Sequence, residues 1–142
     1  MFRILDENIL VAPQISVDAV AAAAQDGVTL IINNRPEGES DDQTTGAEIE
    51  RAARSAGLDY IAIPITHAGF SQSQVDAMVA ALNGANGKVL AYCRSGTRST
   101  LLWALARAAQ GDAPDILTAK AAAAGYDLGP IRAMLDMLAA RA

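Results

Sequence analysis

The chain has 142 residues, enough for one compact domain with its own core, and its 51% apolar against 19% charged content excludes a disordered chain. A net charge of −5 leaves no basic face for a phosphate backbone, which excludes a nucleic-acid partner. No stretch approaches the roughly 20 apolar residues of a membrane helix, and "MFRILDENILVAPQ" is interrupted by Arg3, Asp6, Glu7 and Asn8, unlike a signal-peptide core.

One cysteine cannot make an intrachain disulfide, so nothing marks an oxidising compartment. The expectation is a soluble cytoplasmic protein with no membrane partner. "FRIL" and "NILVA" read as two short strands around the turn "DEN". Ser16 then caps a helix over "VDAVAAAAQD", which Gly27 closes. "VTLIIN" is a buried strand, bounded by Gly27 and by Asn33–Asn34. After the acidic run "EGESDD", read as a solvated loop, Thr45 and Glu48 form a capping box for the next helix. That helix ends at Gly57, and "LDYIAIPI" is the following strand. Ser71 and Gln74 make a second capping box, for "QVDAMVAALNG", and "KVLAY" is the strand after it. Three helical stretches close the chain: "STLLWALARAAQ", "APDILTAKAAAA" and "GPIRAMLDMLAARA", with Pro114 and Pro130 at first-turn positions.

Helical crossovers between strands call for a mostly parallel central sheet of four or five strands with helices on both faces. The last third of the chain is helical. No internal repeat, linker or second domain interrupts residues 1–142, so a single α/β domain is expected.

The chemistry concentrates in "KVLAYCRSGTRSTLLWALARA". A loop that leaves the C-terminal end of a parallel strand and enters a helix suits an anion, because successive N–H groups and the helix terminus supply positive potential. Gly96 lets the backbone curl, Arg98 can offer a bidentate fork to a tetrahedral oxyanion, and Ser99 or Thr100 can cap the helix. Arg94, Ser95, Gly96 and Thr97 complete the anion-binding loop. The same positive potential favours the thiolate of Cys93, the reactive form of the sole cysteine, and Ser99 can hydrogen-bond it.

From "ILVAPQIS" onward, most of the chain resembles the phosphatase-like domain family found with beta-lactamase hydrolase-like proteins, a prokaryotic relative of the dual-specificity tyrosine phosphatases. The matching pieces are "ILVAPQIS", "GVTLIINNRPEGE", "GLDYIAIPI" and "GKVLAYCRSGTRS". The resemblance implies a cysteine-phosphatase-like fold, with Cys93 as nucleophile and Arg98 as the oxyanion-binding arginine.

Two features depart from that family. Typical tyrosine phosphatases place five residues between Cys and Arg and often carry a His before the Cys; here four (Arg94, Ser95, Gly96, Thr97) separate Cys93 from Arg98, and Tyr92 precedes. "CRSGTR" resembles the active loop of rhodanese sulfurtransferases. Dual-specificity phosphatases also usually place an acidic Asp after a segment like "YIAIPI", where this chain reads "THAGFSQSQ". A general acid contributes on the order of 10²–10⁴-fold to such cleavage. His67, the sole histidine, is the candidate for that role; Asp76 reads as a solvated helix residue.

Arg35 and Glu37 follow a strand end and should emerge on the same edge as Cys93, as a pocket wall or as a polar turn. Leu101, Leu102, Trp103 and Leu105 read as core anchors. No spacing of His, Cys and carboxylates suggests a metal site, and no Walker loop or dinucleotide fingerprint is present, so no cofactor is expected. Three functions fit. The first is a cysteine-dependent hydrolase of a small or exposed phosphomonoester. The second is a sulfurtransferase that forms a Cys93 persulfide from thiosulfate or a persulfide donor. The third is an anion-binding or redox-sensing module that oxidises Cys93 reversibly. The framework resemblance covers far more sequence than one residue of loop length, which places hydrolysis first.

Overall fold

The computed structural model describes residues 2–142; Met1 lies outside the described residues. Among the described residues five strands form one sheet: β1 (Arg3–Asp6), β2 (Ile9–Ala12), β3 (Val28–Asn33), β4 (Asp59–Ala62) and β5 (Lys88–Tyr92). Their spatial order is β1-β2-β5-β3-β4. Only the β1–β2 pairing is antiparallel; β2–β5, β5–β3 and β3–β4 are parallel. This is the mostly parallel sheet that the alternating pattern requires.

Side chains alternate across each strand, so one sequence feeds two apolar layers. Leu10, Ile31, Leu90 and Tyr92 face one way, against Val20 and Ala23 of α1 (Val17–Gln25) and Ile49 and Ala53 of α2 (Gly46–Ser55). Val11, Ile32, Val89 and Ala91 face the other layer. There they meet α3 (Gln72–Gly84), α4 (Thr97–Ala109), α5 (Pro114–Ala123) and α6 (Arg132–Arg141). Helix α4 is the axis of that layer, packed between the sheet and α3, α5 and α6. Leu101, Leu102, Trp103 and Leu105 are all buried on it. Among the described residues no helix is long and apolar enough to cross a membrane.

Local signals are realised, with differences at α2, β4 and α6. Ser71 and Gln74 make the full reciprocal capping box. Thr45 accepts from the Glu48 N–H but donates its hydroxyl to Glu48 Oε1, so Glu48 does not reach back to the backbone and only half of that box forms. Strand β4 stops at Ala62, although Ile63 and Ile65 beyond it are buried. The last helix splits into a 3₁₀ turn (Gly129–Ile131) and α6, because the Asp127 carboxylate takes the Gly129 N–H and Pro130 contributes no donor.

Leu105 lies fully buried in the α4 layer. Leu105→Ala is expected to lower the unfolding free energy by about 2–5 kcal/mol in a denaturant titration, the range for a truncated core leucine.

Candidate active site

Strand β5 runs between β2 and β3, so three parallel strand ends meet where Cys93 begins its loop. Cys93 N–H donates to Ala12 O (3.4 Å), Asn34 N–H donates to Tyr92 O (2.8 Å), and Gln14 N–H donates to Arg94 O (3.3 Å). The Cys93 side chain continues the Val89–Ala91 alternation onto the α4 face and is fully buried. Tyr92 points the opposite way, into the α1–α2 layer, where burial pushes its hydroxyl well above the usual phenol range. It stays neutral and takes no part in the site.

After Cys93 the chain passes through exposed Arg94 and Ser95 to Gly96, whose φ of +91° is natural for glycine and strained for other residues. That residue turns the chain straight into α4, which starts at Thr97, two residues ahead of the expected start. Neither Ser99 nor Thr100 therefore caps the helix. Thr100 returns its hydroxyl to Gly96 O (2.8 Å), and Ser95 and Thr97 bond to each other at the outer rim. The Gly96 N–H points inward and donates to Cys93 Sγ at 3.1 Å. That donor is aimed at the sulfur from the N-terminal end of α4.

Arg98 extends over this loop. Its Nη1 donates to Glu39 Oε2 (2.7 Å) and to Ile65 O (2.8 Å), and its Nη2 donates to Glu39 Oε1 (2.8 Å). Three of the five guanidinium donors are thus used, which leaves two for an anion. Glu39 also receives Nε of Arg35 at 2.9 Å. The hydrogen bond from Arg98, foremost, and then that from Arg35 hold the Glu39 carboxyl down from its ordinary 4.5 to about 2, against the opposing effect of burial. Glu39 is therefore a carboxylate at neutral pH and has no proton to give there. The Glu39 hydrogen bond likewise raises Arg98, with the nearby Cys93 adding to it.

Arg35 is buried, with Gln14 and Ser40 taking its two terminal nitrogens at 3.1 Å each. Glu37 turns away from the loop and accepts from Gly46 N–H at the start of α2. Ser99 is buried and donates its one hydroxyl proton to Asn34 Oδ1 (2.7 Å), while Asn34 Nδ2 donates to Ile63 O (2.9 Å). His67 is exposed. It lines an open cavity of about 390 Å³ together with Pro36, Glu39, Thr66, Arg94 and Arg98. Asp76 is exposed and bonded to Gln72 within α3.

Three residues of this arrangement escape a reading of the sequence. Glu39 lies inside "EGESDD", which looks like a solvated run; the structure folds it inward, with Glu39 N–H on Gln43 Oε1 and Gln43 Nε2 on Pro36 O. Asn34 reads as a strand terminator. Tyr126, whose hydroxyl meets the Ser95 carbonyl, sits in a plain helix connection. The one available signal was the second glutamate of "RPEGE", four residues beyond Arg35.

Comparison with known proteins agrees with this fold. The family described as "Beta-lactamase hydrolase-like protein, phosphatase-like domain" matches residues 1–110. A beta-lactamase hydrolase-like protein of Xylella fastidiosa strain 9a5c is 35% identical over 130 residues, covering 89% of this chain and 30% of the relative. The chain spans under a third of the length of such relatives. Among solved structures, a candidate phosphatase of Neisseria meningitidis Z2491 is 35% identical with a TM-score of 0.84, covering 96% of each chain. The active form of Tk-PTP shares the fold at 15% identity, with a TM-score of 0.78 over 99% of this chain and 97% of that one.

A folded-state carboxyl held below its ordinary value adds stability above that value, and the gain is lost as pH falls through the folded value. Wild-type protein is therefore expected to lose unfolding free energy as pH falls from 4.5 toward about 2. Glu39→Gln should start less stable at neutral pH and show a shallower slope across that window in denaturant titrations.

Proposed function

The chain belongs to the phosphatase-like domain family of beta-lactamase hydrolase-like proteins, and from that premise we propose that it is a cysteine-dependent hydrolase of a small or exposed phosphomonoester. The observation that carries the reading is the inward Gly96 N–H on Cys93 Sγ, with the Arg98 guanidinium anchored over the same loop. A thiolate nucleophile and a fixed oxyanion donor are the two parts that covalent group transfer needs.

In this cycle the phosphoryl oxygens enter the cavity between Arg94, Arg98 and His67. The two free donors of Arg98 and the amides of Arg94 and Ser95 receive them, while the Gly96 N–H stays on the sulfur. Cys93 Sγ attacks phosphorus, a P–S bond forms and the ester P–O bond breaks, and the leaving oxygen takes a proton from His67. Water then hydrolyses the thiophosphoryl intermediate, releasing phosphate and regenerating the thiolate, with His67 taking the water's proton. Glu39 holds Arg98 in place and Arg35 holds Glu39, so the carboxylate serves position and not proton transfer. Ser99 acts through Asn34, bracing the strand ends beneath the loop.

A second reading, sulfur transfer, is favoured by two specific observations. Only four residues separate Cys93 from Arg98, and the one carboxylate beside the loop, Glu39, has no proton to donate. Attack of the Cys93 thiolate on the sulfane sulfur of thiosulfate forms an S–S bond and releases sulfite with the electron pair, which requires no proton. The resulting persulfide passes its outer sulfur to a thiol or cyanide.

An aryl phosphate in one assay and thiosulfate with a thiol acceptor in another decide between them. Phosphate release that falls by at least about 10³-fold in Cys93→Ser is the expected result. No phosphate release from wild type, with persulfide on Cys93 by intact mass, would select sulfur transfer. Turnover unaffected by Cys93→Ser would defeat both.

A further inference from the structure

The inward donor at Cys93 belongs to a peptide unit that glycine alone cannot hold. The Gly96 N–H and the Ser95 C=O are the two ends of one trans peptide, and they point in opposite directions. The N–H end meets Cys93 Sγ. Rotating that plane by half a turn would aim the carbonyl oxygen at the sulfur and repel a thiolate. Such a rotation changes ψ of Ser95 and φ of Gly96, and glycine occupies both signs of φ with similar ease.

The outward end has a partner from a distant part of the chain. Tyr126, in the connection after α5, donates its hydroxyl to Ser95 O at 3.1 Å. The same hydroxyl lies close over Gly96, where a Cβ would overlap it. Burial raises the Tyr126 hydroxyl above its ordinary range, so it remains a donor. Tyr126 is itself held. The Arg3 guanidinium sits 5.5 Å from its ring centroid and donates to Ala124 O at 2.8 Å, and Tyr126 N–H donates to Ala121 O at 2.9 Å.

We infer that Tyr126 is a positioning residue for Cys93: its hydroxyl locks the Ser95–Gly96 peptide plane so that the Gly96 N–H faces the nucleophile. This inference rests on Cys93 being the reactive group, and it applies equally to phosphoryl and to sulfur transfer. The lock joins β1, the α5–α6 connection and the anion loop through three contacts.

Tyr126→Phe keeps the ring and removes the hydroxyl, leaving the charged and titratable groups around the loop, Arg94, Arg98, Glu39 and His67, unchanged. The acidic limb of the kcat/KM–pH profile should move up by about one pH unit, the worth of a hydrogen bond to a charged group. Hydrogen exchange at the Gly96 amide should quicken about tenfold while the amides of Leu102 and Leu105 stay protected. Simple loosening of packing would lower the plateau without moving the limb. Arg3→Met, which frees Tyr126 without altering it, should shift both readouts in the same direction by less, and it serves if Tyr126→Phe does not fold. A limb and a Gly96 exchange rate identical to wild type in the folded variants would overturn the lock. Should turnover prove independent of Cys93, the nucleophile reading fails, and Gly96 exchange still decides whether Tyr126 holds the peptide.

Discussion

Parallel strands deliver their C-terminal residues to a common edge, and β5 lies between two strands that run with it. That pairing is the constraint on which the site depends. Register sets Ala12 and Asn33 opposite Tyr92, so the next residues of all three strands crowd around Cys93. The hydrogen bonds of Ala12, Asn34 and Gln14 to the β5 end continue the ladders past the sheet and support the loop from below. A one-residue slip of β5 would turn Cys93 to the opposite face, into the α1–α2 layer.

On this edge the electrostatics reverse those of the whole molecule. The chain carries a net charge of −5, yet Arg35, Arg94 and Arg98 share the neighbourhood with two carboxylates, Glu39 and, farther out, Asp42. Glu39 reduces the repulsion between two arginines and fixes both guanidinium planes, leaving a positive surplus at the mouth of the loop. Long-range charge repels anions weakly through salt, whereas fixed donors within hydrogen-bond distance act at full strength. A net acidic protein can therefore hold an anion site, provided that the donors are positioned by bonds such as those of Glu39.

Much of the fold was legible because its determinants are local. Alternating β-branched runs, the Ser71–Gln74 box and the helix-closing glycines at 27 and 57 each act within a few residues. The Cys93 loop was legible for the same reason: sulfur, glycine and arginine fall within one strand-to-helix turn. Helix α4 starts two residues before the hydroxyl residues Ser99 and Thr100 because Gly96 in the left-handed conformation replaces a side-chain cap, and the sequence signs of the two are different. Nothing in the acidic run marks which carboxylate turns inward: Glu37, nearer the strand end, goes to α2, and Glu39 goes to Arg98.

The sequence by itself determined the α/β class, the mostly parallel sheet and the place of Cys93 at the end of its fifth strand. It also determined that four residues lie between Cys93 and Arg98. Tertiary structure alone decided what surrounds that loop. Glu39 reaches Arg98 across 59 positions, Tyr126 reaches Ser95 across 31, and Asn34 reaches Ser99 across 65. The physical reason is that each partner is an ordinary polar residue whose hydrogen bonds are set by strand order and helix packing. Periodicity and capping report a residue's immediate neighbours, and these bonds join segments that become neighbours only when the sheet has formed.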